Sequence, residues 1–522
     1  MRMLRWALLA LCLIGQARAA EPFRAVMNIE LQVLDPMLTT ATVTRALGYM
    51  VYDMLIAMDS KGEYHPQMLE SWKVSDDRLT WTMTLRPGLA WHDGGKVTPE
   101  DCIASIRRWG QVDGFGKRLM AATAEMRVID DRSFQIVLTR PFAFVIEALG
   151  KPNAVLPVMM PARLAATPAS KAVAETIGSG PFTFDRNEWR PGDRAIFHRN
   201  PAYKPRQEPA DGFAGGKVAG FDTVEFVSIP DPAGRVTALE TGAVDYVEIL
   251  TFDYIEKLRK DPNIRIMVMP PYAQTTGGLS VNNLIPPFND VRMRRALQIA
   301  LNQKEILEGM GLPEDMYIPF CQSVFLCGGP YGTDVGNDYL RTPSAEKARA
   351  LLKEAGYKGE RIVLLHSVDS ATINPISLVV IDQLRRAGFN LDVVSSDYSS
   401  LAQRRLKKDP IEQGGWNLMP VVWSGYDMIN PLSHYTTSYS CGGSYPGWNC
   451  DPEMPALVAK FEVEPDKEKR MALAKEMQLR VLDQAPQMFL GQFSPPSAYR
   501  SDIQGLINTG LSVFWNARRV AK

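Results

Sequence analysis

From Leu79 to Arg86 the chain alternates without a break. Leu79, Trp81, Met83 and Leu85 fall on one face, and Thr80, Thr82, Thr84 and Arg86 on the other. A strict two-residue period specifies a half-buried strand, because successive side chains of a strand point to opposite faces. Pro87-Gly88 turns the chain, and His92-Asp93-Gly94-Gly95 turns it again. Thr98-Pro99-Glu100-Asp101 then opens a helix. Thr98 is a capping residue, Pro99 suits the first helical position, and the two acids complement the helix dipole. Cys102, Ile106 and Trp109 form the predicted buried stripe of that helix. A hairpin that feeds a helix is thus written into Leu69 to Trp109.

The same residues carry a resemblance. Pro66-Gln-Met-Leu-Glu-Ser-Trp72, Leu79-Thr-Trp-Thr82, Leu85-Arg-Pro-Gly88, Trp91-His-Asp-Gly94 and Thr98-Pro-Glu-Asp101 follow one another. Together they resemble the signature of the peptide/nickel class of extracytoplasmic solute-binding proteins, the receptors of ATP-driven importers. Leu34-Asp35-Pro36, Tyr52-Asp53-Met54-Leu55, Gly178-Ser-Gly-Pro-Phe182 and Val281-Asn282-Asn283 extend the likeness. Pro287-Phe288-Asn289-Asp290 and the run from Arg292 to Ala300 complete it, so that it spans nearly the whole chain in the family's order. It implies an α/β, two-lobed periplasmic binding protein fold with an extra subdomain in the first lobe.

The first residues read as an export address. Arg2 and Arg5 supply positive charge, Trp6 to Gly15 is a short apolar core, and Ala17-Arg18-Ala19 offers a small-x-small cleavage site. That core is shorter than the roughly 18–20 residues a spanning helix needs. Leu11 precedes Cys12 where lipoproteins of the family usually carry a small residue. A soluble periplasmic protein cleaved after about Ala19 is therefore expected, rather than one anchored by lipid at Cys12.

The remaining chain, roughly 500 residues, is too long for one hydrophobic core, so at least two lobes are expected. Lys plus Arg equals Asp plus Glu, at 58 each, and no long charge run is present. The electrostatic footprint of nucleic-acid binding is missing. Cys321 and Cys327 stand six apart with Gly328-Gly329 just beyond, and Cys441 and Cys450 nine apart across a glycine-bearing loop. In an oxidising compartment such pairs suit local disulfides, each worth roughly 2–3 kcal/mol by loop entropy. Cys102 reads as a buried free thiol. His65, His92, His198, His366 and His434 are scattered and no Cys-x-x-Cys occurs, so neither a metal nor a cofactor is expected.

Strands are predicted at Phe182-Thr-Phe184, Ala195 to His198, Phe221 to Ile229 and Ala243 to Ile249, with a helix over Pro232 to Thr241. Glu125 to Leu138 adds a strand pair about an Asp130-Asp131 turn. Beyond Thr275-Thr-Gly-Gly278, helices are predicted over Asp290 to Ile306, Ser344 to Ala355, Ile376 to Arg386 and Asp466 to Gln484. Strands at Arg361 to Leu365, Phe389 to Val394 and Trp416 to Trp423 alternate with them, the pattern of a parallel or mixed sheet. With a leader over 1–19, the family likeness implies a first lobe over 20–275 plus 492–522 with a subdomain at about 60–175, and a second lobe over 276–491. Two crossings between lobes make a hinge around a cleft.

Trp423-Ser-Gly-Tyr-Asp-Met-Ile-Asn-Pro431 follows a strand-like run, the place where open α/β sheets bind ligands. In peptide-binding relatives a Trp-x-x-Asp loop here pairs with the ligand's terminal ammonium. Asp427 is the matching acid, one residue further along than in the dipeptide receptors. Trp423, Tyr426, Tyr435 and Tyr445 are expected around it, to cover an apolar side chain or a cation. The loop between Cys441 and Cys450, with Gly442-Gly443, is expected to form one wall. Thr39, Thr40 and Tyr49 are further candidate contacts, as are the amides of Asn282 and Asn283, which serve equally well as hinge structure. Dipeptide receptors carry a carboxylate-clamping Arg where this chain reads His366-Ser-Val-Asp369. Longer peptides or a small amine-bearing solute therefore stay open, beside a nickel chelate, glutathione, an opine or an oligosaccharide. No Gly-x-Ser-x-Gly, phosphate loop or His-Glu-x-x-His is present, and Trp91-His92-Asp93 belongs to the hairpin. The expected activity is capture without catalysis, by a monomer that presents its cargo to a membrane permease with its ATPase; the alternative is an extracytoplasmic sensor or chaperone that uses the same fold.

Overall fold

The computed structural model describes residues 21–336, 338–438, 440–441 and 445–520; the leader with Cys12, and Gly442-Gly443, lie outside them. Among the described residues, two large sheets divide the chain. The first has seven strands in the order Phe182–Phe184, Arg194–Arg199, Thr223–Val227, Phe23–Val26, Tyr246–Val247, Ser497–Arg500 and Ile264–Met267. Phe23–Val26 runs parallel to both of its neighbours, Thr223–Val227 and Tyr246–Val247. The second sheet has six strands in the order Tyr317–Ile318, Gln487–Phe493, Thr275–Val281, Leu418–Trp423, Ile362–Ser367 and Leu391–Ser396. Its Ile362–Ser367 and Leu391–Ser396 are parallel and joined by the helix Ile373–Arg386, the strand–helix–strand unit that the alternating pattern predicts.

The chain leaves the first sheet after Met267 and enters the second at Thr275. Gln487–Phe493 still pairs within the second sheet, and the chain re-enters the first at Ser497–Arg500. The two crossings touch: the Met269 amide donates to Ser494 Oγ at 2.8 Å, and Gln492 Nε2 donates to the Pro271 carbonyl at 2.7 Å.

Leu69–Val74, Thr80–Leu85, Ser133–Leu138 and Thr123–Val128 form a separate four-stranded antiparallel sheet. Trp81, Met83 and Leu85 are buried while the threonines between them are half-exposed, as the alternation requires. The helix Pro99–Val112 covers this sheet, with Cys102, Ile106 and Trp109 fully buried. Thr98 accepts from the Asp101 amide and Asp101 Oδ2 accepts from the Thr98 amide, a reciprocal capping box. His92 ties the hairpin to the Gly178-Ser-Gly180 turn: its amide donates to the Gly178 carbonyl, Nδ1 accepts from the Gly178 amide, and Nε2 lies 3.2 Å from the Gly180 carbonyl. A Cβ at Gly178 would stand 2.2 Å from the Val51 carbonyl oxygen, which explains the glycine there.

Two expected elements differ. The helix predicted over Asp290 to Ile306 is two helices, Val291–Ala300 and Gln303–Gly309, because Asn302 breaks the run and caps the second through the Glu305 amide at 3.1 Å. The strand predicted from Ala243 to Ile249 shrinks to Tyr246–Val247. Both cysteine pairs are disulfides, Cys321–Cys327 and Cys441–Cys450, and Cys102 is a buried free thiol.

Candidate functional site

A cleft of about 610 Å³ opens between the two large sheets. The first lobe contributes the helix Thr42–Val51 through Thr42 and Arg45, together with Asn28, Glu248 and Ser512. The second contributes the end of the strand Leu418–Trp423 and the short helix Gly425–Met428 that follows it, which carries Asp427. Met267, Met269 and Thr275 bring both sides of one hinge crossing to the cleft.

Of the residues picked from sequence, Asp427, Trp423, Tyr435, Tyr445 and Thr40 line the cleft. Asp427 Oδ1 accepts from the Ala154 amide at 3.1 Å, so the acid also touches the first half of the chain. Its Oδ2 faces Arg45 Nη2 at 3.8 Å, beyond hydrogen-bond range, and keeps acceptor capacity. The aromatic wall is a connected stack. Tyr435 and Tyr445 lie face to face with centroids 4.1 Å apart, and Trp423 Nε1 donates to Tyr445 Oη at 2.6 Å. A Cβ at Gly278 would overlap the Trp423 ring at 1.7 Å, so the glycine in the neighbouring strand makes room for that indole. The Cys441–Cys450 disulfide closes the loop that carries Tyr445.

The other candidates lie off the cleft surface. Tyr426 is buried behind Asp427, its hydroxyl donating to the Thr509 carbonyl and its ring edge-on to Phe213. Tyr49 is buried with its ring stacked on Phe213 at 4.4 Å, one turn along the helix from Arg45 and turned into the first lobe's core. Thr39 accepts from the Ala41 amide. Asn282 is fully buried and donates to the Trp416 carbonyl, while Asn283 donates to the carbonyls of Val281, Gly447 and Pro486. Both amides satisfy backbone where strand Thr275–Val281 ends. His366 pairs with Ser395 and Asn374, and Asp369 accepts from Ser367 Oγ and the Tyr398 amide, so the segment that lacks the Arg is structural.

Two arginines that the motif reading passed over line the same cleft. Arg405 has its guanidinium 5.8 Å from the Tyr445 ring centroid. Arg45 is 3% exposed on a helix whose other residues from Val43 to Val51 are also buried. The signal was available: a lone charge in the apolar run Thr-Val-Thr-Arg-Ala-Leu-Gly-Tyr-Met-Val must find a counter-charge or a ligand. Glu248 lines the same cleft and is buried, accepting from the Asn28 amide at 2.7 Å and from Ser512 Oγ at 3.0 Å, and burial holds its carboxyl above the usual range. Among the described residues no cluster of three or more His, Cys, Asp or Glu is placed to hold a metal ion, and no helix is long and apolar enough to cross a membrane.

The family model for bacterial extracellular solute-binding proteins, family 5 Middle, matches residues 63–446. A probable peptide ABC transporter periplasmic-binding protein of Sinorhizobium fredii (strain NBRC 101917 / NGR234) is 36% identical over 94% of this chain and 92% of that protein. The dipeptide-binding protein of Escherichia coli (strain K12) is 27% identical over 90% of this chain and 88% of its own length. The periplasmic binding protein DppA from Helicobacter pylori, solved in complex with the peptide STSA, shares the fold with a TM-score of 0.78. It covers 96% of this chain and 98% of that one at 20% identity.

Proposed function

This chain belongs to the family 5 bacterial extracellular solute-binding proteins, and from that premise we propose that its cleft captures a peptide or peptide-like, amine-bearing solute. The observation that carries the reading is Asp427: a carboxylate on the cleft wall, one oxygen fixed by the Ala154 amide and the other without a close partner, in the same cleft as an aromatic stack. A ligand ammonium desolvated against Oδ2 forms a charge-assisted hydrogen bond, and Trp423, Tyr435 and Tyr445 cover the adjoining side chain. The cargo is then handed to a membrane permease powered by a separate ATPase. Transport of this kind requires only that the closed form bind better than the open one, so the protein acts as a monomeric receptor without catalysis. Relatives that are periplasmic binding proteins, and the Arg2 to Ala19 leader, support export with cleavage after about Ala19 and no lipid on Cys12.

The test is native mass spectrometry on protein purified gently from its export compartment, followed by denaturing release of what it holds. A series of released peptides supports the reading, and their lengths give the cargo range. A single sugar or metal chelate without an amine overturns the substrate class and leaves the receptor role. Asp427→Asn is expected to weaken binding of an amine-bearing cargo at least tenfold, measured by calorimetry; unchanged affinity removes Asp427 as the anchor.

A further inference from the structure

The cleft holds an unmet demand beside Asp427. Arg45 is almost wholly buried, yet its Nε and Nη1 have no hydrogen-bond partner among the described residues. Its Nη2 reaches the Thr40 carbonyl only at 3.5 Å and Asp427 Oδ2 only at 3.8 Å. A guanidinium offers five N–H donors in a fixed fork, and leaving donors buried and unpaired is costly. The nearby acids do not meet the demand. Asp427 divides itself between the Ala154 amide and this loose contact, and both oxygens of Glu248 accept from the first lobe's own Asn28 and Ser512. Arg45 is among the side chains that line the cavity, next to Asp427.

We infer that Arg45 is the receptor for a carboxylate of the cargo. The inference rests on the peptide-class reading above and adds to it the acid end that the His366-Ser-Val-Asp369 segment has no arginine to hold. The fork of a guanidinium matches the two oxygens of a carboxylate, and a donor set already dehydrated spends little on desolvation when the anion arrives. A cargo that brings an ammonium to Asp427 and a carboxylate to Arg45 leaves neither buried charge alone. The two receptors stand side by side, so the pocket reads a zwitterionic solute as a unit.

The test uses the mature wild-type protein and a synthetic pool of dipeptides made in two forms, free acid and C-terminal amide, because receptors 3.8 Å apart meet both ends only of a short solute. Retention is read by native mass spectrometry. The wild type is expected to retain the free acids at least tenfold better than the amides. Arg45→Gln should abolish that preference and Arg45→Lys should restore part of it. Equal retention of acids and amides by the wild type overturns the Arg45 assignment and leaves the peptide reading standing, a result that needs no variant to fold. If neither form is retained, the solute released by denaturation decides. An acid-bearing non-peptide overturns the peptide reading and supports Arg45; a solute with no acid group, or none at all, overturns Arg45.

Discussion

Asp35 and Arg108 meet from positions 73 residues apart and leave almost no surface exposed. Arg108 Nη2 lies 2.7 Å from Asp35 Oδ2, and the carboxylate also accepts from the amides of Met37 and Val173. The pair ties the opening loop of the first lobe to the helix Pro99–Val112. Removing one member of a buried pair strands the other charge, a loss of about 3–5 kcal/mol. Asp35→Asn is therefore expected to lower the unfolding free energy by about that much in urea titration at pH 7, and a loss below about 1 kcal/mol would contradict the account. A second residue-scale prediction concerns pH. Burial pushes the imidazole of His434 down to about 3 and that of His92 down to about 4. In the unfolded chain both titrate near 6.5, so below pH 6.5 the unfolded state takes up protons that the native state refuses. Stability falls as pH drops from 6.5 towards 4, by about 1.4 kcal/mol per pH unit for each histidine, and neither contributes above that window. His434→Gln should show a slope shallower by one proton over that range; an identical slope would mean that His434 charges in the native state. Single residues are also where sequence was least legible. An aromatic beside a binding loop reads the same whether it faces the cleft, as Tyr435 does, or the core, as Tyr426 and Tyr49 do, because only the packed fold sets the direction.

Elements were legible where local rules and tertiary packing agree. The strand Thr80–Leu85 and the capped start of Pro99–Val112 carry their period and their cap in consecutive residues. The break at Asn302 was hidden because the helical period runs through it, although Asn302-Gln-Lys-Glu305 is itself a start signal. Short elements such as Tyr246–Val247 depend on neighbours 200 or more residues away: Ala25 and Val26 on one side, Tyr499 and Ala498 on the other. The disulfide loops offer a direct check. A chain cleaved after about Ala19 retains five cysteines, of which four are paired and Cys102 is fully buried. Alkylation should add no label to the native protein, one after denaturation without reduction, and five after reduction, counted by intact mass. Two or more labels before reduction would show that a bridge does not form. Opening Cys441–Cys450 by a double Cys→Ser change should cost about 2–3 kcal/mol of stability. It should also weaken cargo binding, because that loop holds Tyr445 against Trp423 and Tyr435.

At the scale of the molecule, one cluster of buried apolar side chains continues from the four-stranded sheet's neighbourhood into the second lobe, with Phe144 stacked on Phe461 at 5.0 Å. Next to that contact Glu462, on the helix Met454–Val463, receives Arg140 at 2.7 Å and Arg118 at 3.0 Å, and its carbonyl accepts from the Ala143 amide. Arg470 reaches Glu147 from the next helix, Lys467–Gln484. These contacts join the two sides of the cleft without touching the cleft surface, and the Ala154 amide on Asp427 repeats the link at the site itself. A contact made only when the lobes are together stabilises the closed form, and ligand affinity scales with the fraction of protein able to close. Glu462→Ala removes the acceptor for both arginines and leaves every cleft residue in place. Because both guanidinium groups keep partial access to water, the loss should sit near the low end for a truncated charge pair, about 2 kcal/mol or about thirtyfold in Kd. Calorimetry on the variant should show that weakening with the acid-over-amide preference intact, and small-angle scattering without cargo should show a larger radius of gyration than the wild type. If affinity and radius both stay unchanged, the four-stranded sheet and the second lobe move as one body. The opening must then be sought at the crossings themselves, where Met269, Ser494 and Gln492 hold the two strands of the hinge together.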